Sequence, residues 1–597
     1  MTGYAAPVQD MRFALEEVAG LAELAGLPGW DQAEPDLIAS VLEEAGKLAR
    51  DVIAPINRSG DIEGARLENG IVRMPRGFRE AYAQFIAGGW NGLPFAEDIG
   101  GQNLPWAVSC AVQEIWQAAN LSFGQYPLLT QGAIEALSRH GSPEQKKLYL
   151  SKMVAGVWNG TMNLTEPQAG TDLGALRTRA VRADGHYRIT GQKIFITNGD
   201  TDLTENTIHL VLARLPDAPA GVKGISLFVV PKLMVEADGR MGSRNDLRVV
   251  SLEHKLGIRA SPTCVMSYGD NGGAVGTLVG EEGRGLEYMF TMMNNARLSV
   301  GIQGVAMGER AYQQARAYAR SRVQSRELGS RDVAPAAIIR HPDVRRMLMT
   351  MKAQTEASRA LAYYAASALD RAKALPDAAG RARAQATADL LIPVVKAWST
   401  DLGFEIASTG VQIHGGMGFI EETGAAQHLR DARITMIYEG TSGIQANDLL
   451  GRKLMRDKGV AAAGAIAQFR TTADRLATGP GDDLATIRRH LIAGIDTLER
   501  ATAWLIQTWG DDVRRASAGA TPYLRMMGIV AGGWVMAISA LAATERLKRR
   551  NGDAAFLEAK LITARFYAEH ILSQANALLT PIMEGGGTVM ALDEDQF

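Results

Sequence analysis

Apolar residues recur at helical spacing in the first quarter of the chain, give way to short strand-like runs, and then return to helical spacing for the remainder. From Glu34 to Gly156 the pattern is mostly helical, as in Leu37, Ile38, Val41, Leu42 and Leu48, with Pro, Gly and Asn at the breaks. Tyr126 to Tyr149 reads as two further helices, with Ser142-Pro143-Glu144 as a start signal. From Trp158 to about Gly280 the runs Ile194–Thr197, His209–Ala213 and Ile225–Val230 lie between turn clusters and predict a small β-domain. Long helical periodicity resumes from Glu287 to about Asp457, interrupted at Gly415-Gly416. Residues from Gly459 to Phe597 are Ala-rich and helical again. The chain is thus expected to be mainly α with a central β-domain. The expected parts are an N-terminal extension (1–34), a helical domain (35–157), a β-domain (158–280), a helical bundle (281–457) and an extra helical domain (458–597). No short-period repeat or large low-complexity tract interrupts this order.

Composition narrows the function. At 597 residues the chain exceeds one ordinary domain, and its 46% hydrophobic and 21% charged residues describe a soluble globular protein with a large core. A formal net charge of -2 gives no electrostatic reason to expect nucleic acid as a partner. Cys110 and Cys264 have no paired spacing, so neither a disulfide framework nor a zinc site is indicated; a reducing, cytoplasmic compartment fits, and no metal is expected. Met1 to Asp10 is polar and Met11 to Leu27 is amphipathic with acidic residues, so no secretory signal is expected. Met526 to Ala543 is eighteen residues without a formal charge, near the lower limit for crossing a bilayer. Its Gly528, Gly532, Gly533 and several alanines read better as a buried helix packed through small residues, so no integral membrane segment is expected. Arg546-Leu547-Lys548-Arg549-Arg550 reads as a solvated helix end.

Two local patterns carry chemistry. The run Arg433 to Ser442 sets Glu439 after Ile434, Met436, Ile437 and Tyr438 and follows it with Gly440. A carboxylate among such neighbours loses water, and its basicity strengthens. The glycine allows a tight backbone path beside a flat ligand. These properties suit a base that removes a proton from carbon next to a carbonyl, although a lone Glu before Gly is also an ordinary helix end or turn. The second pattern joins Met162 to Asp172 with Ile189 to Gly199; each pairs a β-prone stretch with a Gly-bearing turn and hydroxyls. A flavin ring needs such donors and an aromatic or apolar face, while either segment alone also reads as a hairpin with Thr and Gly at its turns.

Together with further motifs, these patterns resemble the acyl-CoA dehydrogenase family over roughly residues 35 to 455. The motifs are Gly89-Trp90-Asn91-Gly92 with Gly100-Gly101, His140 to Lys146, Thr165 to Asp172 (T-E-P-x-A-G-T-D), and Gly191 to Gly199 (G-x-K-x-x-I-T-N-G). Gly257 to Thr263, Gly410 to Phe419 and Tyr438-Glu439-Gly440-Thr441 complete the series. The length and the stretch Met293 to Leu298 resemble the long bacterial branch, which includes broad-range members and members acting on 3-methylmercaptopropionyl-CoA. The resemblance implies a helical bundle, a β-barrel-like domain and a four-helix bundle, here with a C-terminal helical extension.

The resemblance also implies FAD-dependent oxidation of an acyl-CoA between Cα and Cβ to the trans-2-enoyl thioester, with Glu439 as base. Short- or medium-chain substrates, or 3-methylmercaptopropionyl-CoA, are the expected class. Some relatives carry the base on an earlier helix, at the position of Ala296, which cannot accept a proton. Flavin contacts implied by motif match are Met162, Leu164, Thr165, Thr171, Phe195 and Thr197. Arg322, Gln324, Gln412 and Gly416 match positions that serve the flavin of the adjoining subunit, and Thr441 and Ser442 match the adenine end. Thr171, Arg297 and Gly440 match substrate contacts. Three residues depart from the family pattern: Met162 replaces a common aromatic, Phe195 a tryptophan, and Gly443 a frequent glutamine. A homodimer is implied, with the C-terminal unit covering the surface through which dimers pair further, and an electron-transfer flavoprotein as electron acceptor. An acyl-CoA oxidase is the alternative within the class. A DNA-binding flavoprotein relative would need a basic groove, which the near-neutral charge does not favour.

Overall fold

The computed structural model describes residues 3–331, 333–479 and 481–597. Helices α1 (Val8–Phe13), α2 (Trp106–Ala119), α3 (Leu121–His140) and α4 (Pro143–Val154) precede the strands. The strands of the eight-stranded sheet are β1 (Trp158–Asn163), β2 (Arg179–Ala183), β3 (His186–Thr197), β4 (Asn206–Arg214), β5 (Ile225–Pro231), β6 (Leu247–Leu252), β7 (Thr263–Tyr268) and β8 (Ala274–Leu278). Helix α5 (Gly285–Ser321) leads into the hairpin β9 (Val323–Arg326) and β10 (Pro335–Ala337), followed by α6 (Pro342–Ala374), α7 (Ala378–His414) and α8 (Ser442–Asp448). Helices α9 (Val460–Ala477), α10 (Asp482–Asp511), α11 (Ala520–Arg549) and α12 (Ala554–His570) form most of the remainder. The chain divides into two compact units: 1–46, 105–118 and 297–597 make a helical unit, and 47–104 and 119–296 make a unit built on the sheet.

The sheet runs in the order β6-β7-β3-β8-β5-β4-β1, with β2 pairing β3 and β4. β1 lies parallel to β4, from Trp158 opposite Asn206 to Asn163 opposite Val211; the pairs of β3 are antiparallel. Ile189, Ile196, Val211, Phe228, Val230, Met266 and Tyr268 pack as the apolar layer of this unit. Helix α4 begins where Ser142-Pro143-Glu144 places it, with a reciprocal cap: Ser142 Oγ accepts from Gln145 N–H (3.2 Å), and Gln145 Oε1 accepts from Ser142 N–H (3.0 Å). Helix α3 starts at Leu121 rather than near Tyr126, because Asn120 caps it by accepting from Phe123 N–H at 3.2 Å and Pro127 is accommodated within the helix.

In the helical unit, glycines set how closely helices cross. A Cβ on Gly304 would lie 2.2 Å from the Ser399 carbonyl oxygen, and one on Gly403 would lie 2.4 Å from the Gly304 carbonyl oxygen, so α5 and α7 touch backbone to backbone. Helix α11 is fitted to α7 in the same way, with a Cβ on Gly528 falling 2.4 Å from the Trp398 indole. The uncharged stretch Met526–Ala543 lies within α11 and is mostly buried. Arg546 departs from the solvated reading of its segment: its guanidinium meets Glu16 at 2.7 Å, pairs with Glu17, and lies 5.4 Å from the Phe13 ring. Lys548, Arg549 and Arg550 are exposed.

A buried ion cluster ties sequence-distant segments of this unit together. Arg359 on α6 bonds Glu114 on α2 (2.6 Å), Glu309 on α5 (2.7 Å) and Asp10 on α1 (2.5 Å). Lys560 on α12 bonds Glu356 at 2.9 Å and also meets Asp10. Replacing Arg359 by methionine leaves buried carboxylates without their cation, at a cost of about 3–5 kcal/mol. Arg359→Met is therefore expected to lower the urea midpoint of unfolding markedly, which far-UV circular dichroism would measure.

Candidate active site

Glu439 stands between Met436, where a short 3₁₀ turn ends, and α8, in the helical unit. Its φ of 57° is left-handed, and Gly440 follows at 87°. A side chain rarely adopts that conformation, so surrounding contacts must hold it there. Gln445 on α8 donates to the Glu439 carbonyl (3.0 Å), and Lys396 on α7 donates to the Gly440 carbonyl (2.7 Å). Thr441 caps α8 by accepting from Ile444 N–H (3.3 Å), and Ser442 donates to Asp401 on α7 (2.8 Å). Tyr438 donates to Gln303 on α5. The positive φ at residue 440 favours glycine, and a Cβ there would lie 2.8 Å from Gln445 Nε2 and displace that amide.

Charge at this turn is balanced by two cations. Burial pushes the Glu439 carboxyl up, Arg297 and then Lys396 draw it back, and it settles at about 7. As a whole residue Glu439 keeps partial solvent access, so the shift reflects dense protein around its carboxyl rather than complete removal from water. Arg297 is buried and bonds Asp448 on α8 at 3.0 Å. Lys396 is fully buried, and burial lowers it to about 8 against the opposing pull of Glu439 and Asp401. A carboxylate poised near neutrality beside fixed positive charge can accept a proton from a weak carbon acid.

A second constellation lies in the sheet unit. The inward positions of β3 run Ile189, Lys193, Ile196, so the alternation slips between the last two. The register shows why: Lys193 faces Met266 and Ile196 faces Cys264, so two residues of β3, Ile194 and Phe195, lie against the single Val265 of β7. This bulge gives Phe195 a φ of 59° and leaves its ring 59% exposed, where unbroken alternation would have turned it inward with Lys193. Lys193 reaches back to the Leu164 carbonyl (3.0 Å) and to Glu166 (2.8 Å). Burial raises the Glu166 carboxyl, but Lys193, Thr178 and the Arg177 N–H outweigh it, so the pair is ionised. The segment Leu164–Glu166 is thereby pinned to β3, and Ile194 N–H adds a bond to the Thr165 carbonyl at 2.9 Å. Thr197 and partly buried Met162 complete the set. Next to Thr197, the buried Asn198 carboxamide has both polar atoms unpartnered among the described residues. An outward aromatic, hydroxyls and an orphaned amide fit the face and polar edge of a flavin ring.

The remaining expected residues fall into two groups. Thr171 is exposed on the loop after the Glu166 clamp. Arg322 and Gln324 lie on the exposed β9 hairpin, 3.3 Å apart, and Gln412 and Gly416 are exposed at the end of α7. The structure therefore gathers Glu439, Gly440, Thr441, Ser442 and Arg297 at one turn, and Leu164, Thr165, Phe195 and Thr197 at one pinned edge. Sequence reasoning gave no role to Lys396, Gln445, Asp448 or the Glu166–Lys193 clamp. Lys396 had a signal, being one lysine in the otherwise apolar run from Leu390 to Trp398.

Comparison with known proteins bears on all of these residues. Residues 39–157, 161–270 and 283–454 match the family descriptions "Acyl-CoA dehydrogenase, N-terminal domain", "middle domain" and "C-terminal domain". Residues 463–593 match "Acetyl-CoA dehydrogenase C-terminal like". The chain is 50% identical to 3-methylmercaptopropionyl-CoA dehydrogenase of Ruegeria pomeroyi, over 98% of this chain and 99% of the relative. It is 35% identical to the broad-specificity linear acyl-CoA dehydrogenase FadE5 of Mycobacterium tuberculosis, over the whole of both chains. Its fold is similar to that of an acyl-CoA dehydrogenase from Bacillus anthracis solved in complex with FAD (TM-score 0.71, 20% identity, covering 94% of this chain and 89% of the other).

Phe195→Gly tests the reading of the bulge. Glycine relieves the left-handed strain, so the flavin-free protein should unfold at no lower temperature. Loss of the ring should weaken flavin retention by about tenfold or more, equivalent to ~1.4 kcal/mol. Differential scanning fluorimetry and flavin titration would measure the two effects.

Proposed function

The chain belongs to the acyl-CoA dehydrogenase family, and from that membership we propose that it is an FAD-dependent oxidoreductase converting an acyl-CoA to its trans-2-enoyl-CoA. The reading rests above all on Glu439, a carboxylate held in a left-handed turn and raised to about 7 by burial. In the ionised form it takes the α-proton on a carboxylate oxygen. Arg297 and Lys396 supply fixed positive charge that keeps the ionised form accessible at neutral pH. By family resemblance the Glu439 N–H donates to the thioester oxygen as negative charge develops there. Gly440 leaves space beside the base, and Thr171 and Arg297 are assigned to the substrate side.

Bound FAD would supply the acceptor for the hydride that leaves Cβ. Met162, Leu164, Thr165, Phe195 and Thr197 would hold its ring, Thr171 its pyrophosphate, and Thr441 and Ser442 its adenine end. Arg322, Gln324, Gln412 and Gly416 would serve the flavin of an adjoining copy. That assignment requires an oligomer, a homodimer where the C-terminal unit covers the surface for further pairing, and Leu328, Met417 and Phe419, exposed near those four in sequence, supply apolar surface for such an interface. The preferred substrate is a short- or medium-chain acyl-CoA, with 3-methylmercaptopropionyl-CoA foremost because of the 50% identical relative. Electrons would pass to an electron-transfer flavoprotein, and the setting would be cytoplasmic acyl-CoA degradation of the β-oxidation type.

A panel of acyl-CoAs assayed with a ferrocenium acceptor tests activity and chain length together. Glu439→Gln should lower kcat by about 100- to 10,000-fold while retaining flavin. Because the protonated acid cannot accept a proton, kcat/KM of the native enzyme should fall as pH drops below about 7. Native turnover in Glu439→Gln would defeat the assignment.

A further inference from the structure

Lys396 stands in an apolar stretch of α7, with Val394, Val395, Ala397 and Trp398 all buried around it. Its own exposure is 0%, and among the described residues the one hydrogen bond of its ammonium is to the Gly440 carbonyl, at 2.7 Å. A lysine is seldom buried without a carboxylate in direct contact, because the ammonium loses hydration and regains little. Here the compensation is focused on one backbone carbonyl, the one that follows the base.

We propose that Lys396 is a positioning residue for the base: its ammonium clamps the Gly440 carbonyl, fixes the left-handed Glu439–Gly440 turn, and adds a second positive charge beside the Glu439 carboxylate. The inference rests on Glu439 being the base and extends that reading. Three observations carry it. Gln445 on α8 donates to both successive carbonyls of the turn, at 3.0 Å to Glu439 and 3.4 Å to Gly440, and Lys396 on α7 adds the shorter bond to Gly440 at 2.7 Å, so the peptide planes on either side of Gly440 cannot rotate independently. The backbone contact between Gly304, Gly403 and Ser399 brings α5 against α7, so Arg297 from α5 and Lys396 from α7 both act on Glu439. Trp398, two residues beyond Lys396, is wedged against Gly528 and Gly532 of α11, which holds this part of α7 in place.

The ionisable groups around the pair set the direction of the pH effects. Glu439 faces Arg297 and Lys396. Lys396 faces Glu439, Asp401 on its own helix, and Arg297. Asp401 in turn faces Glu405 on α7 and Arg525 on α11 and accepts from Ser442, and Arg297 faces Asp448, Glu439 and Arg452. Lys396, lowered to about 8, is mainly charged at pH 7, where its charge favours the ionised base. Removing that charge must raise the pH at which Glu439 ionises, since an opposite charge at close range lowers a carboxyl by about 1–3 pH units.

The test uses flavin-loaded native enzyme and the variants Lys396→Met, Lys396→Gln and Lys396→Arg. Methionine removes donor and charge, glutamine keeps a donor without charge, and arginine keeps both. The acid limb of the kcat/KM profile is expected to move up by about one pH unit in Lys396→Met and Lys396→Gln, with KM little changed, and to stay in place in Lys396→Arg. At pH values below the limb this is about a tenfold loss. An independent readout is the infrared C=O stretch of the protonated carboxyl, assigned by its absence in Glu439→Gln; its titration midpoint should move with the limb. If Lys396→Met does not fold, Lys396→Gln carries the test. An unmoved limb and unmoved midpoint in the uncharged variants, or an equal displacement in Lys396→Arg, overturns the role of Lys396. If Glu439→Gln retains native turnover, the assignment of the base fails instead. If Glu439→Gln is inactive while the uncharged lysine variants titrate like the native enzyme, only the present inference fails.

Discussion

A carboxylate in a packed interior is a poor place for charge, and the helical unit is arranged to hold one at Glu439. Burial alone would leave the acid protonated at neutral pH, whereas the base proposed above must be ionised. Full pairing with a cation would make it too weak a base for a thioester α-proton. The fold takes a middle course. Arg297 is partly neutralised by Asp448, and Lys396 bonds to a carbonyl rather than to the carboxylate, so both stabilise charge on Glu439 without sequestering it. The left-handed turn is the geometric side of the same arrangement, because it is maintained by bonds from two different helices.

These supports connect Glu439 to the C-terminal part of the chain. Helix α11 abuts α7 at Trp398 through Gly528 and Gly532, and α12 contributes Lys560 to the ion cluster around Glu356 and Asp10. Residues beyond the bundle are therefore built into the unit that carries Glu439, rather than tethered to it. The chain's own first helix enters the same cluster through Asp10. In the sheet unit, the Glu166–Lys193 clamp plays the equivalent part, fixing Leu164–Thr165 against β3 where the bulge presents Phe195.

What was legible in the sequence follows from the range of the interactions that decide it. Helical periodicity, the Ser142 cap and the strands around Ile196, Val211 and Val229 depend on neighbours within a few residues, and these elements appear as their patterns imply, apart from the earlier start of α3 at Leu121. The raised carboxyl of Glu439 was legible because its apolar approach and its glycine adjoin it. The exposure of Phe195 was not, since the bulge is defined only by the register of β3 against β7, and alternation alone turns that ring inward. Lys396 acquires its role from a carbonyl 44 positions away, and Arg359 from a carboxylate 349 positions away. No local window contains such partners. The same holds for Arg546, whose basic run looks solvated until Glu16 and Glu17 are brought beside it.

The account turns on proton removal by one partly desolvated acid. The most direct measurement is the rate at which the bound flavin bleaches, without oxygen, on mixing with an acyl-CoA carrying deuterium or protium at Cα, across about pH 6 to 8. The account predicts slower bleaching with deuterium and a rate that climbs with pH to a plateau above about 7, following ionisation of Glu439. Identical rates for the two isotopes, flat across the same range, would contradict it.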